Sequence, residues 1–334
     1  METLLSKAEI PIIDLSYMST TMAAPCKTSL RRVAAQLHRA LSEKGLALLV
    51  NHGIPDDKIR AVYEAMDKFC DLPHEDTHKY IRKPPDNHGY VPSGLEKFSE
   101  DKDLQEVRHT FNVVRLDGQL PDAEVPGFQA AVTSLAQDFR RLALLLLRAL
   151  AVALELSPDF FLSNHSSMWK PGNESCMRLL DYPPFTAPPK PGVMRCGEHA
   201  DYGTFSLLTQ DCEGGLEVLI GGKWGRVGHL PGSILINAGE LLATWTRNKY
   251  PALRHRVIVP ENEAAYCKGR HSIAFFVHPD NDTPIAPLSS PVLEEQAAEP
   301  PQPPASPTKH HSKHGSIYTA YQHLQMRFRE TYAS

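Results

Sequence analysis

Six cysteines occur in 334 residues, Cys26, Cys70, Cys176, Cys196, Cys212 and Cys267, and none forms a Cys-x-x-Cys pair. Thiols scattered in this way exclude a zinc ribbon and a dense disulfide framework, and they point to reduced cysteines in the cytoplasm. Neither sign of charge dominates: 35 Lys and Arg stand against 39 Asp and Glu, a formal net charge of -4. No basic face suited to nucleic acid or an anionic membrane is visible, which argues against both as the main partner and leaves a small neutral or charged metabolite open. The opening METLLSKAEIPIIDL lacks an apolar core ending in a small-residue cleavage site, so no signal peptide is read there. The longest apolar run, Leu142 to Leu156, is broken by Arg148 and falls short of the roughly 20 residues a membrane span needs. It reads as a buried helix. The oligomeric state is left open.

What the chain has in excess is proline, 28 residues, in two clusters of different character. Pro284, Pro287, Pro291 and five more between Pro300 and Pro307 accompany the polar stretch EEQAAEPPQPPASPTKHHSKHG. Missing backbone donors and little apolar surface there predict a disordered insert. His310, His311 and His314 within it read as a solvated face rather than a metal tract. The second cluster, Pro183 to Pro191 in DYPPFTAPPKPG, is flanked closely by strand-like segments and reads as a stiff, ordered loop.

Ahead of that loop, three-to-four-residue apolar recurrence predicts helices over 28–43, 56–71 and 127–156, with short buried strands at 10–15 and 45–50. From residue 175 onward the pattern changes to short β-rich runs at 176–180, 203–210, 215–220, 223–227, 233–237, 255–259 and 271–277. Such spacing suggests a sandwich or small barrel. Gly221-Gly222 supplies the positive φ of a two-residue hairpin turn. An amphipathic helix is expected over 317–332, with Tyr318, Tyr321, Leu324, Phe328 and Tyr332 near one face.

The chemistry concentrates in Gly197-Glu198-His199-Ala200-Asp201-Tyr202-Gly203 and in Arg254-His255-Arg256. Residues i and i+2 of a strand share a face, so His199 and Asp201 can enter one cavity, and His255 from a neighbouring strand completes a set of two imidazoles and a carboxylate. That set suits Fe(II) and leaves coordination positions free. Arg270-His271-Ser272 opens a later strand and places an arginine fork beside a hydroxyl, a match for a carboxylate.

Together these segments resemble the isopenicillin N synthase-like branch of the Fe(II)/2-oxoglutarate-dependent dioxygenases. The likeness is carried by IPIIDL, GLALLVNHGIP, HGYVPSGLE, DLQEVRHTF, HADYGTFSLLTQD, GGLEVLIGGKWGRV, LPGSILINAGELLATWTRNKYPALRHRV and RHSIAFFVHPD, in the family's order. It implies a mainly β fold with flanking helices (α+β), built on a double-stranded β-helix, the cupin-like jelly roll. The implied layout is an N-terminal helical and strand region over 8–120, a catalytic jelly roll over 172–282, the proline-rich insert over 284–314 and a C-terminal helix over 315–333. His199, Asp201 and His255 would be the catalytic and metal ligands. Arg270 and Ser272 would hold the C5 carboxylate of 2-oxoglutarate and Tyr182 would be a further hydroxyl donor to the cosubstrate, with O2 as oxidant and ascorbate as a supporting reductant. The reaction implied is hydroxylation or desaturation of a small metabolite, with release of succinate and CO2.

The chain departs from the family's plant members at Leu180, where they carry Asn, and at Asp181, where they commonly carry Tyr. Leu180 cannot hydrogen-bond, which keeps open an iron oxidase or oxidative cyclase that dispenses with 2-oxoglutarate. A non-catalytic binding protein on the same fold is a further alternative. Phe111 and Phe275 are read as candidate substrate-lining or core residues, Trp224 and Trp245 as core anchors, and Cys196 and Cys212 as small buried hydrophobes. The segment 86–111 and the C-terminal helix are expected to border the substrate entrance.

Overall fold

Residues of a strand alternate between two faces, and the segment RHSIAFFV uses both. Ile273, Phe275 and Val277 join one hydrophobic cluster with the long helices, whereas Ala274 and Phe276 belong to or pack against a second cluster inside the barrel. The computed structural model describes residues 3–4, 10–22, 25–98, 104–294 and 318–331.

The strands used below are β1 (Ile12–Asp14), β2 (Leu46–Val50), β3 (Gly89–Val91), β4 (His109–Val113), β5 (Cys176–Tyr182), β6 (Cys196–His199) and β7 (Phe205–Gln210). They continue as β8 (Leu216–Ile220), β9 (Lys223–Arg226), β10 (Ser233–Ala238), β11 (His255–Val257), β12 (Arg270–Val277), β13 (Pro284–Ile285) and β14 (Tyr318–Thr319). The helices are α1 (Lys27–Lys44), α2 (Asp56–Cys70), α3 (Phe128–Ala153), α4 (Glu240–Trp245) and α5 (Ala320–Thr331).

Among the described residues the major sheet runs β1-β2-β10-β7-β12-β5-β4-β3, antiparallel except for the β1–β2 pair. A smaller sheet runs β9-β8-β11-β6, with Thr3–Leu4 added in parallel along β9. The two sheets are the walls of the jelly roll, and a mainly apolar cluster including Leu46, Leu180, Tyr182, Leu216, Val218 and Leu235 lies between them. Helices α1, α2 and α3 contribute to the larger cluster with the other face of the major sheet. Leu142, Leu146, Leu147 and Leu150 are fully buried, so the apolar run is core, and no described helix is long and apolar enough to cross a membrane.

The helix and strand expectations match to within a few residues. Gly221 and Gly222 join β8 to β9 with φ of 57° and 76°. Three points differ. The expected disordered insert begins with structure: β13 pairs with β14, Ile285 and Leu293 are buried, and Pro291–Glu294 form a helical turn. Residues 295–317, with His310, His311 and His314, lie outside the described residues. In α5 the buried residues are Ala320, His323, Leu324 and Thr331, while Tyr321 is exposed, so the polar His323 occupies the place the apolar pattern assigned to a tyrosine. Cys212 is exposed rather than buried, and Trp224 is half-buried beneath the Arg256 guanidinium at 4.2 Å, whereas Cys196 and Trp245 are buried as expected.

Phe69 on α2 meets Tyr80, Tyr90 and Phe111 edge-on at ring separations of 5.1–5.9 Å and ties α2 to the β3–β4 edge. Phe69→Ala should therefore cost about 3–5 kcal/mol in urea-unfolding free energy; a loss below about 1 kcal/mol would show that this aromatic knot is not what holds α2.

Candidate active site

His199 ends β6 and His255 opens β11, and the two are direct cross-strand partners. Their rings lie 4.2 Å apart. Asp201 follows just beyond the end of β6, so the strand-face argument holds for His199 and gives way to a loop at Asp201. Asp201 Oδ1 nevertheless lies 3.9 Å from His199 Nε2 and 3.8 Å from His255 Nε2. One ligand atom from each residue falls within 4.8 Å of the other two.

Each imidazole has a defined tautomer. Nδ1 of His199 faces the Gly197 carbonyl at 2.9 Å and Nδ1 of His255 faces the Leu253 carbonyl at 3.0 Å. A carbonyl only accepts, so both Nδ1 atoms carry hydrogen and both Nε2 lone pairs remain available. Burial lowers both pKa values, which keeps the rings neutral. Burial alone would raise the Asp201 pKa, but attraction to His255 and His199 in their protonated forms and a hydrogen bond from Asn237 hold it below the usual carboxylate value. Asn237 Nδ2 donates to Oδ2 at 2.7 Å, and the Glu240 N–H donates to the Asp201 carbonyl at 2.8 Å. This leaves Oδ1 toward the histidines, so the three residues offer the N,N,O donor set of a facial iron site.

From this centre one cavity extends inward and another outward. The inner lobe, about 660 Å³, is walled by Leu180, Leu208, Leu216, Val218, Leu235 and Val257 and also lined by Arg270, Ser272 and Tyr182. Arg270 is directly opposite Tyr182 in the β12–β5 ladder, and Ser272 is opposite Leu180. The Arg270 guanidinium lies 4.8 Å from the Tyr182 ring centroid. Arg270 donates to Ser272 Oγ at 3.2 Å and to Gln210 Oε1 at 2.8 Å. It is fully buried, its Nε has no partner, and no carboxylate forms a salt bridge with it among the described residues. A buried guanidinium of that kind calls for an anion. The six residues singled out from sequence therefore line one cavity, with Leu180 beside them as an apolar wall.

The outer lobe, about 470 Å³, is lined by Asn87, Glu174, Tyr202, His278 and Phe328, and shares Phe98, Arg178, His199, Asp201 and Phe276 with the inner one. Phe98 stacks on His199 at 4.3 Å. Leu324, Phe328 and Thr331 of α5 form one side and Glu96 and Phe98 another, so both segments expected at a substrate entrance contribute to the lining of this lobe. Phe111 and Phe275 do not reach either lobe. Both are fully buried in the helix-side core, Phe275 stacked on Trp169 at 5.2 Å. The inward aromatic is Phe276, and strand parity from Arg270 and Ser272 carried the signal for it. Asn237 and Gln210 carry no motif signal of their own; only the register exposes their roles.

Behind the outer lobe sits a buried ion network. Glu96 takes Arg178 through both oxygens at 3.1 Å and Arg108 at 2.8 Å, and Arg108 also pairs with Glu106. Among the described residues, two cations face two anions there. By contrast, no cation lies within salt-bridge distance of Glu174 among the described residues; it receives one hydrogen bond, from Asn281 at 3.3 Å, and burial raises its pKa.

Comparison with known proteins agrees with this geometry. The model of the N-terminal region of non-haem dioxygenases, described for morphine synthesis, matches residues 10–124, and that of the 2OG-Fe(II) oxygenase superfamily matches 173–279. A proline hydroxylase, buaE, from Petromyces alliaceus is 30% identical over 89% of this chain and 92% of its own length. The chain belongs to the 2OG-Fe(II) oxygenase superfamily. Gibberellin 20 oxidase 2 of Arabidopsis thaliana is a more distant relative of this oxygenase, 27% identical over 86% of the chain and 72% of that protein. A solved 2OG-Fe(II) oxygenase family protein from Caulobacter crescentus superposes with a TM-score of 0.76 at 26% identity, over 96% of this chain and 98% of the other. A full-length Neurospora crassa protein, solved in complex with α-ketoglutarate, shares the fold at a TM-score of 0.78 and 24% identity, covering 100% and 99% of the two chains. The jelly roll, Fe(II) and 2-oxoglutarate implied by the sequence resemblance are those of the superfamily.

Removing Glu96 would leave Arg178 and Arg108 without their shared counter-charge in a buried setting. Glu96→Gln should cost about 3–5 kcal/mol in unfolding free energy, whereas Glu43→Gln, which breaks the exposed Arg39–Glu43 pair, should cost less than about 1 kcal/mol. Equal effects in denaturant titrations would contradict this account of the network.

Proposed function

We propose that His199, Asp201 and His255 hold the Fe(II) of this dioxygenase, that Arg270, Ser272 and Tyr182 take the C5 carboxylate of 2-oxoglutarate in the inner lobe, and that a small organic substrate enters the outer lobe. The observation carrying the reading is the fully buried Arg270, with an unpartnered nitrogen and no salt bridge to a carboxylate among the described residues, in the same cavity as two neutral imidazoles and a carboxylate. When bound, Fe(II) couples reduction of O2 to decarboxylation of 2-oxoglutarate, giving succinate and CO2 and oxidising the substrate.

The chain's own contribution is orientation and exclusion of water. Backbone carbonyls of Gly197 and Leu253 set both rings, and Asn237 restrains the Asp201 carboxylate. The apolar walls around Leu180, Leu208 and Val218 keep water from the guanidinium, which strengthens its attraction for a carboxylate. Leu180 supplies packing where an amide would supply a hydrogen bond, and Gln210 and Ser272 restrain Arg270 instead.

For the substrate, the outer lobe combines the aromatic side chains of Phe98, Phe276 and Phe328 with Glu174, the carboxylate outside both the buried ion network and the iron triad. That combination favours a small molecule bearing an ammonium or N–H donor. Proline, named for the Petromyces relative, carries such a group.

Adding 2-oxoglutarate anaerobically to the Fe(II) protein should produce a chelate absorption band, and its absence would point to the iron oxidase that dispenses with 2-oxoglutarate. Under O2 and ascorbate the wild type should release succinate, His199→Ala should release none, and Arg270→Met should need at least about tenfold more 2-oxoglutarate for half-maximal rate. In a succinate-release screen with amines paired with their N-acetyl counterparts, the free amine of a pair should be preferred, and Glu174→Gln should remove the preference. A uniform preference for the acylated member would overturn the amine reading while leaving the clamp intact.

A further inference from the structure

His271 stands between the two clamp residues in sequence and faces the opposite way. Arg270 and Ser272 point into the inner lobe, so His271 emerges on the other face of β12, toward α2. Three carboxylates from three elements surround it. Asp67 of α2 meets Nε2 at 2.6 Å, Asp211, just after β7, meets Nδ1 at 3.3 Å, and Asp181, its cross-strand partner on β5, lies 3.7 Å from Nε2. A neutral imidazole has one N–H and cannot donate to carboxylates at both nitrogens; the imidazolium can. The Asp211 carboxylate also accepts the His271 backbone N–H at 2.5 Å, and the Asp211 N–H donates to the His271 carbonyl at 3.1 Å. Side chain and backbone of this one residue are thus pinned together, directly behind the clamp.

We propose that His271 is a positioning residue for the cosubstrate clamp: its imidazolium, gripped by Asp67, Asp181 and Asp211, holds β12 where Arg270 and Ser272 present their donors to the 2-oxoglutarate carboxylate. The inference rests on the assignment of Arg270 and Ser272 to that carboxylate. The cross-strand Asp181–His271 pair joins β5 to β12, the two strands that carry Tyr182, Arg270 and Ser272.

The surroundings define a pH dependence. Burial disfavours the charged ring, but the Asp211 hydrogen bond and Asp67 outweigh it and lift the His271 pKa from 6.5 to about 9. Of the other groups facing the cluster, Tyr63 lies tilted against the ring at 5.3 Å, and burial pushes both it and Cys70, beside Asp181, further from ionisation. Burial keeps His109, on β4, neutral, and Arg270 adds a positive charge near Asp211. The grip is therefore complete below the ordinary pKa of 6.5, persists through neutrality, and is lost as pH rises through about 9.

The test is anaerobic titration of the full-length Fe(II) protein with 2-oxoglutarate, read by the chelate absorbance. Wild-type Kd should be flat from about pH 6.5 to 8 and rise at least about threefold by pH 9.5. His271→Arg keeps a cation at every pH, so its Kd should stay within about threefold of wild type at pH 7.5 and show no rise at pH 9.5. His271→Leu should bind 2-oxoglutarate at least about tenfold more weakly at pH 7.5 while its Fe(II) affinity changes less than about twofold. Asp67→Asn, at the exposed rim, should weaken binding severalfold and move the rise to lower pH, and it serves if the leucine variant does not fold. A wild-type Kd flat to pH 9.5, a folded leucine variant that binds like wild type, or an arginine variant that retains the rise would each overturn the proposal. So would a Zn2+ equivalent bound by wild type and lost in His271→Leu, because a metal needs the ring unprotonated. Absence of any chelate band in wild type would instead strike at the clamp assignment on which the inference rests.

Discussion

A strand residue can face only one of two sides, and this oxygenase depends on how β5 and β12 divide theirs. Along β12, positions 270, 272, 274 and 276 line the cavities, while 273, 275 and 277 pack under the helices. The facing strand does the same with 178, 180 and 182 against 177 and 179. Slipping the ladder by one residue would send Arg270 and Ser272 into the helix-side core and bring Ile273 and Phe275 into the cavity. The hydrophobic helix face and the polar clamp therefore enforce the same register from opposite sides.

The second constraint is the handling of buried charge. Arg178, Arg108, Glu96 and Glu106 are all nearly inaccessible and neutralise one another beside the outer lobe. Arg270 is equally inaccessible and has no such partner among the described residues. The first arrangement stabilises a wall; the second leaves an unmet electrostatic demand at the place proposed for the cosubstrate carboxylate. Two arginines on adjacent strands thus serve opposite ends because one is given its carboxylates by the chain and the other is not.

Much of this could be read from the sequence because its signals are local. Ligand and clamp residues sit in short motifs, helices repeat every three to four residues, and the Gly-Gly turn announces a hairpin. The misreadings share one cause, dependence on tertiary pairing. Phe275 and Phe276 are indistinguishable by composition and are separated only by the face each occupies. Asn237 and Gln210 act through partners distant in sequence. The residues after Pro284 look like linker until β14, on the far side of a proline-rich stretch, offers Pro284–Ile285 a strand to pair with. Pattern arguments see Tyr321 as part of an apolar stripe, but not the Glu240 carboxylate that draws His323 inward at 3.0 Å.

The attachment of α5 has a bearing on when the site comes into being. His323 and Arg327 both grip Glu240, whose N–H supports the Asp201 carbonyl, and Thr331 meets the Tyr202 hydroxyl at 2.5 Å. These contacts come from an element that is translated after every other described helix and strand. The ribosome exit tunnel shields a growing chain's newest residues, so the jelly roll can pair its strands while α5 is still out of reach. A nascent chain in that condition can bring the three proposed iron ligands together while it still lacks one wall of the outer lobe.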